Sequence, residues 1–106
     1  MIRRAYKMKL FPGKEAEYQQ RHTDLWPKLK ALLKTAGIQN YSIFLDPESH
    51  LLFATYEVHE SNTAAVDNLA LDPIMKEWWA YMKDIMETNP DNSPLSIPLK
   101  DMFYLP

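Results

Sequence analysis

Cysteine is absent from all 106 residues, which removes disulfides, thiol nucleophiles and cysteine-based zinc sites together and fits a reducing compartment. Glycine is almost as scarce, with two in the chain. No glycine-rich loop can therefore cradle a phosphate, and a nucleotide cofactor or phosphorylated substrate is disfavoured. Neither sign of charge prevails: a formal net charge of -2 offers nothing to attract nucleic acid or an anionic membrane. No segment approaches the roughly 20 apolar residues that span a bilayer, and MIRRAYKMKLFPG lacks the apolar run of a secretory signal. These absences point to a cytoplasmic protein with neither nucleic acid nor membrane as partner. The length suits one domain over residues 1–106.

What is present is enough apolar residue for a packed core: 46% hydrophobic against 25% charged, which excludes a disordered chain. Ile2 to Leu10 alternates, with Ile2, Tyr6, Met8 and Leu10 on one side and Arg3, Lys7 and Lys9 on the other, as a half-buried strand does. Phe11-Pro12-Gly13 stops it. A helix follows and ends at Lys34-Thr35-Ala36-Gly37, where Gly37 suits a left-handed cap. Ile38 to Asp46 is a second strand with Tyr41, Ile43 and Leu45 on one face, Asp46-Pro47-Glu48-Ser49 a turn, and Leu51 to His59 its hairpin partner. Ser61 is an N-cap for a second helical region. That region is interrupted at Asp72-Pro73, from which Ile74, Trp78, Tyr81 and Ile85 recur at helical spacing. Asn89 to Pro98 holds three prolines and reads as an irregular, rigid loop, and Leu99 to Leu105 as a terminal strand.

The order βαββαβ is the split-βαβ, or ferredoxin-like, α+β arrangement with an antiparallel sheet. Both helices cover one sheet face and leave the other bare. Tyr41, Phe44, Tyr56 and Phe103 suggest large apolar groups on both faces, and an apolar face of that size calls for cover. Two copies packed sheet to sheet supply it, so a symmetric homodimer is expected.

Along the first helix, Leu25, Leu29, Leu32 and Ala36 form a stripe that Tyr18 and His22 extend toward the N-terminus, one turn apart on the inward side. Pro27 lacks an N–H and crowds the carbonyl of Thr23, so the helix bends or restarts after His22. Two readings of His22 stand side by side. It is a buried histidine satisfied by a neighbour, or a proton-transfer group whose ordinary pKa of about 6.5 lies near working pH. His50 sits beside the turn and His59 ends the third strand; both read as solvated. The three histidines share no metal-ligand spacing, and no metal is expected. Trp78 and Trp79 point about 100° apart on a helix, so one fills the core while the other faces a different wall. Such rings suit a small-molecule pocket, the apolar face of a sugar in particular, and Tyr41 can add a hydroxyl. Glu57 and Asp91 read as solvated or capping groups, either of which could orient His22.

Together the segments EYQQRHTDLWPKL, NYSIFLD, LLFATYEV, WWAYMKDIM, NPDNSP and the ending FYLP resemble the L-rhamnose mutarotase family over nearly the whole chain. The main differences lie between Glu60 and Lys76. The resemblance implies a cytoplasmic homodimer of ferredoxin-like subunits forming a dimeric α/β barrel. It implies interconversion of the α and β anomers of L-rhamnopyranose without metal or organic cofactor. By motif position it makes His22 the proton donor and Tyr18, Tyr41, Trp78 and Trp79 the sugar-binding residues. A rival of the same dimeric fold is a cofactor-free monooxygenase or haem-degrading enzyme, which would bind haem or consume oxygen. The non-enzymatic alternative, a sugar-binding or dimer-scaffold module in which Tyr18 and His22 only pack, would leave anomer exchange unchanged in His22→Ala.

Overall fold

A computed structural model describes every residue, 1–106. The alternating segment at the N-terminus forms strand β1 (Ile2–Lys9), and the hairpin segments form β2 (Gln39–Asp46) and β3 (Leu51–Val58). β1 pairs antiparallel with β3 from Ile2 opposite Val58 to Lys9 opposite Leu51. β2 pairs with the other edge of β3, so that Ile43 faces Ala54 and Leu45 faces Leu52. With a short strand β4 (Ile97–Pro98) the sheet order is β2-β3-β1-β4, the antiparallel order of a ferredoxin-like fold.

The period of two decides which face is covered. Leu52, Ala54, Tyr56 and Val58 are buried along β3, and Met8 is buried opposite Leu52. Helices lie on that side. Helix α1 (Glu15–Thr23) and helix α2 (Pro27–Thr35) replace the single helix that the apolar stripe alone would suggest. Pro27 starts the second of them at its first turn, where its missing N–H costs nothing, and Asp24–Trp26 is non-helical. Gly37 ends α2 with φ +95° and approaches Asn62 so closely that a Cβ would collide with its side chain, so glycine is required there twice over.

The second helical region differs from expectation. His59, not Ser61, is the cap: its Nδ1 accepts the Ser61 N–H at 3.1 Å. The segment is a 3₁₀ turn (Glu60–Asn62), a short helix α3 (Thr63–Asp67) and a second 3₁₀ turn (Asn68–Leu71). Asp72 then caps helix α4 (Pro73–Met82) by accepting the Ile74 N–H at 2.8 Å. Trp78 and Met82 are buried on α4, while Ile85, at helical spacing from Tyr81, lies beyond the helix end and is fully buried all the same.

The expected terminal strand over Leu99–Leu105 does not form. Ile97 and Pro98 make the fourth strand instead, opposite Lys7 and Tyr6. They lie inside the proline-rich stretch, and an edge strand tolerates proline. The stretch turns back early: Asn89 N–H donates to the Ser93 carbonyl at 2.8 Å and Leu95 N–H to the Glu87 carbonyl at 3.1 Å. The chain thus reaches the free edge of β1 sooner. After the Leu99 N–H bonds the Ala5 carbonyl at 2.8 Å, no backbone partner remains, and Asp101 and Tyr104 turn onto the guanidinium of Arg3. Phe103, expected on the sheet, therefore sits in an exposed tail, while Tyr41 and Tyr56 lie on the helix side and Phe44 on the uncovered one.

Candidate active site

Between the helices and the covered face of the sheet lies a cavity of about 1030 Å³. Tyr18, His22, Tyr41, Trp78 and Trp79 all line it, although they come from α1, β2 and α4. Ending α1 at Thr23 leaves His22 on its last turn, against Trp78 of α4, with Tyr18 one turn earlier and buried in the core.

His22 is half-buried. Its ring stacks on Tyr18 with centroids 4.3 Å apart and meets Trp78 edge-on at 5.5 Å. Nδ1 lies 2.9 Å from the carbonyl of Tyr18. A carbonyl can only accept, so Nδ1 carries the proton. The neutral ring then holds its lone pair on Nε2, which has no partner in the chain. Burial lowers the pKa of His22 and outweighs the opposing pull of the Tyr18 carbonyl; the resting ring is neutral at pH 7. Neither carboxylate considered from the sequence reaches it. Glu57 accepts from Asn40 at 2.9 Å, and Asp91 holds the Ser93 N–H at 2.9 Å in its own loop. The orienting partner is a backbone carbonyl, which no residue pattern reveals.

Trp78 is buried between His22 and Trp26, edge-on to both, with the Trp26 centroid 5.1 Å away. Trp79 is half-buried and packs beside the core while lining the same cavity. The angular offset of the pair thus opens onto one pocket, not two separate walls. Tyr41 stacks on Tyr56 at 5.8 Å and shares a hydrogen bond with the hydroxyl of Tyr6. Its position depends on a bulge: the β2–β3 register shifts between Gln39 and Ser42, where Asn40 has φ 50°. Bulges re-aim side chains beside sites. Burial pushes the Tyr41 hydroxyl up to about 12, and raises those of Tyr18 and Tyr6 as well. All three stay protonated at neutral pH.

Tyr6, which motif position does not single out, lines the same cavity. The sequence does carry a signal for it, since a hydroxyl on the inward stripe of β1 raises the same question as a histidine on the inward stripe of α1. Asn89 and Ser93 also line the cavity. Asn89 donates to the Ser93 hydroxyl at 3.0 Å, and this fixes the polar rim formed by the proline loop. No group of three or more His, Cys, Asp or Glu side chains comes together, and no helix is long and apolar enough to cross a membrane.

A family model described as L-rhamnose mutarotase matches residues 3–105. The L-rhamnose mutarotase of Lachnoclostridium phytofermentans is 48% identical over 105 residues, 99% of either chain. That of Agrobacterium fabrum is 51% identical over 102 residues, 96% of this chain and 94% of its own. The crystal structure of L-rhamnose mutarotase from Formosa agariphila matches with a TM-score of 0.92 at 48% identity, covering 100% of both chains.

Proposed function

The chain belongs to the L-rhamnose mutarotase family and is an isomerase that interconverts the α and β anomers of L-rhamnopyranose; on that premise we propose that His22 is the group that carries the proton. The observation behind this role is the free Nε2 of a neutral imidazole in an aromatic-walled cavity.

Mutarotation opens a cyclic hemiacetal, turns the freed aldehyde and recloses the ring on its other face. Ring opening transfers one proton from the anomeric hydroxyl to the ring oxygen and breaks the bond between that oxygen and the anomeric carbon. Both oxygens are bonded to the same carbon, so one imidazole can serve both. Nε2 takes the proton from the anomeric hydroxyl, and the resulting imidazolium gives it to the ring oxygen. His22 is thus the proton donor in the bond-breaking step, having first been the acceptor. Reclosure reverses the transfers. The Nδ1 bond to the Tyr18 carbonyl keeps Nε2 as the exchanging atom throughout and stabilises the transient imidazolium.

The remaining residues bind and orient. Trp78 and Trp79 offer rings to the apolar face of the sugar. The Tyr18 and Tyr41 hydroxyls, kept protonated by burial, donate to sugar oxygens. Saturation-transfer NMR between the anomeric proton signals of L-rhamnose tests the activity directly. Catalytic amounts of protein should raise the exchange rate, and an unchanged rate would sink the reading for this sugar.

The same assay across pH tests the proton carrier. Burial disfavours the imidazolium, so the folded pKa lies below 6.5. The neutral, proton-accepting ring prevails at and above that value. We expect the acid limb of kcat/KM to be centred below pH 6.5, with kcat/KM rising through it to a plateau at higher pH. An acid limb centred at or above 6.5 would contradict this.

The protein acts as a cytoplasmic homodimer in this reading. The uncovered sheet face carries Phe44, 68% exposed, and the tail beside it carries Met102 and Phe103, 82% and 79% exposed. Apolar groups of this size are better matched to a second copy than to water. Sedimentation equilibrium at micromolar protein should return the mass of two chains, and Phe44→Glu should shift it toward one. A monomer in the parent protein would refute the dimer.

A further inference from the structure

Arg21 is the immediate neighbour of His22 yet does not line the cavity. Its side chain is 9% exposed, and a charge so enclosed needs its donors satisfied. Nε donates to Glu17 at 2.8 Å within α1. The other donors cross to the far end of α4. Nη1 and Nη2 fork onto the Asp84 carboxylate at 2.9 and 3.2 Å, and Nη1 also reaches the Tyr81 carbonyl at 2.7 Å. The guanidinium lies over the Tyr81 ring, 4.3 Å from its centroid. Tyr81 in turn packs against Trp26 and Trp78, at 5.5 and 5.7 Å, and Trp78 meets His22. The contacts close a ring from Arg21 through α4 to the histidine beside it.

Apart from the buried Tyr18, helix α1 has little else to fix its direction. It is nine residues long, has no side-chain cap at its N-terminus, and is cut off from α2 by Asp24–Trp26. Isolated helices of this length are marginal. The Tyr81 carbonyl belongs to the last turn of α4, where such groups lack helical partners and a cation is favoured.

We infer that Arg21 is a positioning residue: it locks the last turn of α1 to the C-terminal end of α4, and so holds the His22 imidazole against Trp78 at the sugar without touching the sugar itself. This rests on His22 as the proton carrier. Proton transfer is sensitive to placement, and a displacement of about 1 Å can cost about a hundredfold.

The test compares parent, Arg21→Met, Arg21→Lys, Asp84→Asn and His22→Gln in the L-rhamnose exchange assay, with kcat expressed per folded molecule from circular dichroism. Arg21→Met should lower kcat about 10- to 100-fold and leave KM within about threefold, since the sugar contacts remain. Arg21→Lys keeps the charge but not the fork and should recover part of the loss. Asp84→Asn should lower kcat in the same direction although it lies outside the cavity, and it decides the matter if Arg21→Met fails to fold. Parental kcat per folded molecule in Asp84→Asn and in any folded Arg21→Met would overturn the positioning role, as would a change confined to KM. An inert parent, or a His22→Gln rate equal to that of the parent, would sink the His22 reading and this inference with it. A His22-dependent parent rate with unaltered Arg21→Met sinks the positioning role alone.

Discussion

His22→Gln is expected to slow enzyme-catalysed anomer exchange by about 10²–10⁴-fold, the usual contribution of a positioned acid–base group. Glutamine is close in length, and its amide can still donate to the Tyr18 carbonyl that now accepts from Nδ1 at 2.9 Å. It cannot gain and lose a proton near neutral pH. The substitution therefore removes the proposed chemistry while retaining most of the packing between Tyr18 and Trp78. Exchange measured by saturation transfer, alongside a thermal melt, separates the two effects. A rate within a few-fold of the parent at unchanged stability would leave His22 as a packing residue and return the proton transfer to water.

Trp78→Ala should have the largest effect on folding. Trp78 is 8% exposed and belongs to the main core cluster with Tyr18, Leu29 and Met82. Replacing a buried tryptophan by alanine costs about 3–5 kcal/mol, from a total stability of about 5–15 kcal/mol for a domain of this kind. The rings of His22 and Trp26 lose their edge-on partner at the same time. Both the melting temperature and the affinity for sugar should fall. Trp79→Ala, at a half-buried position, should raise KM with a smaller loss of stability. Denaturant unfolding of the two variants together checks the distinction. Equal destabilisation would show that the tryptophans do not divide core and pocket in this way.

Periodicity read the main elements of this protein well because they obey it. β1 and β3 alternate, and β3 buries every second side chain. Tyr18 and His22 share a face of α1, and Pro27 marks the break between helices. Trp78 and Trp79 diverge by one helical step, but only the assembled sheet and helices show that both directions open onto one cavity. Other features lay beyond residue pattern for identifiable reasons. The group that orients His22 is a backbone carbonyl, which every residue has. The cap at the start of the second helical region is an imidazole, His59, in place of the expected Ser61 hydroxyl. The fourth strand falls on Ile97–Pro98, because the length of the preceding turn is set by hydrogen bonds among Asn89, Ser93 and Asp91, and hydrophobicity carries no record of them. The partners of Arg21, Asp84 and the Tyr81 carbonyl, come from the far end of α4, and local pattern around α1 holds no trace of them.

The break at Asp24–Trp26 also bears on motion. In a continuous helix, opening the turn that bears His22 would fray the residues on either side. Here α1 ends at Thr23 and α2 begins afresh at Pro27, so a shift of the last turn of α1 need not pass into α2, while Tyr18, one turn earlier, stays in the core with Met8, Leu52 and Ala54. Local openings of this kind draw on a fraction of the global unfolding free energy. The last turn of α1 is then tethered by the Arg21–Asp84 fork rather than by helical continuity, so how far it opens to a sugar is set by that ion pair and not by the sheet beneath.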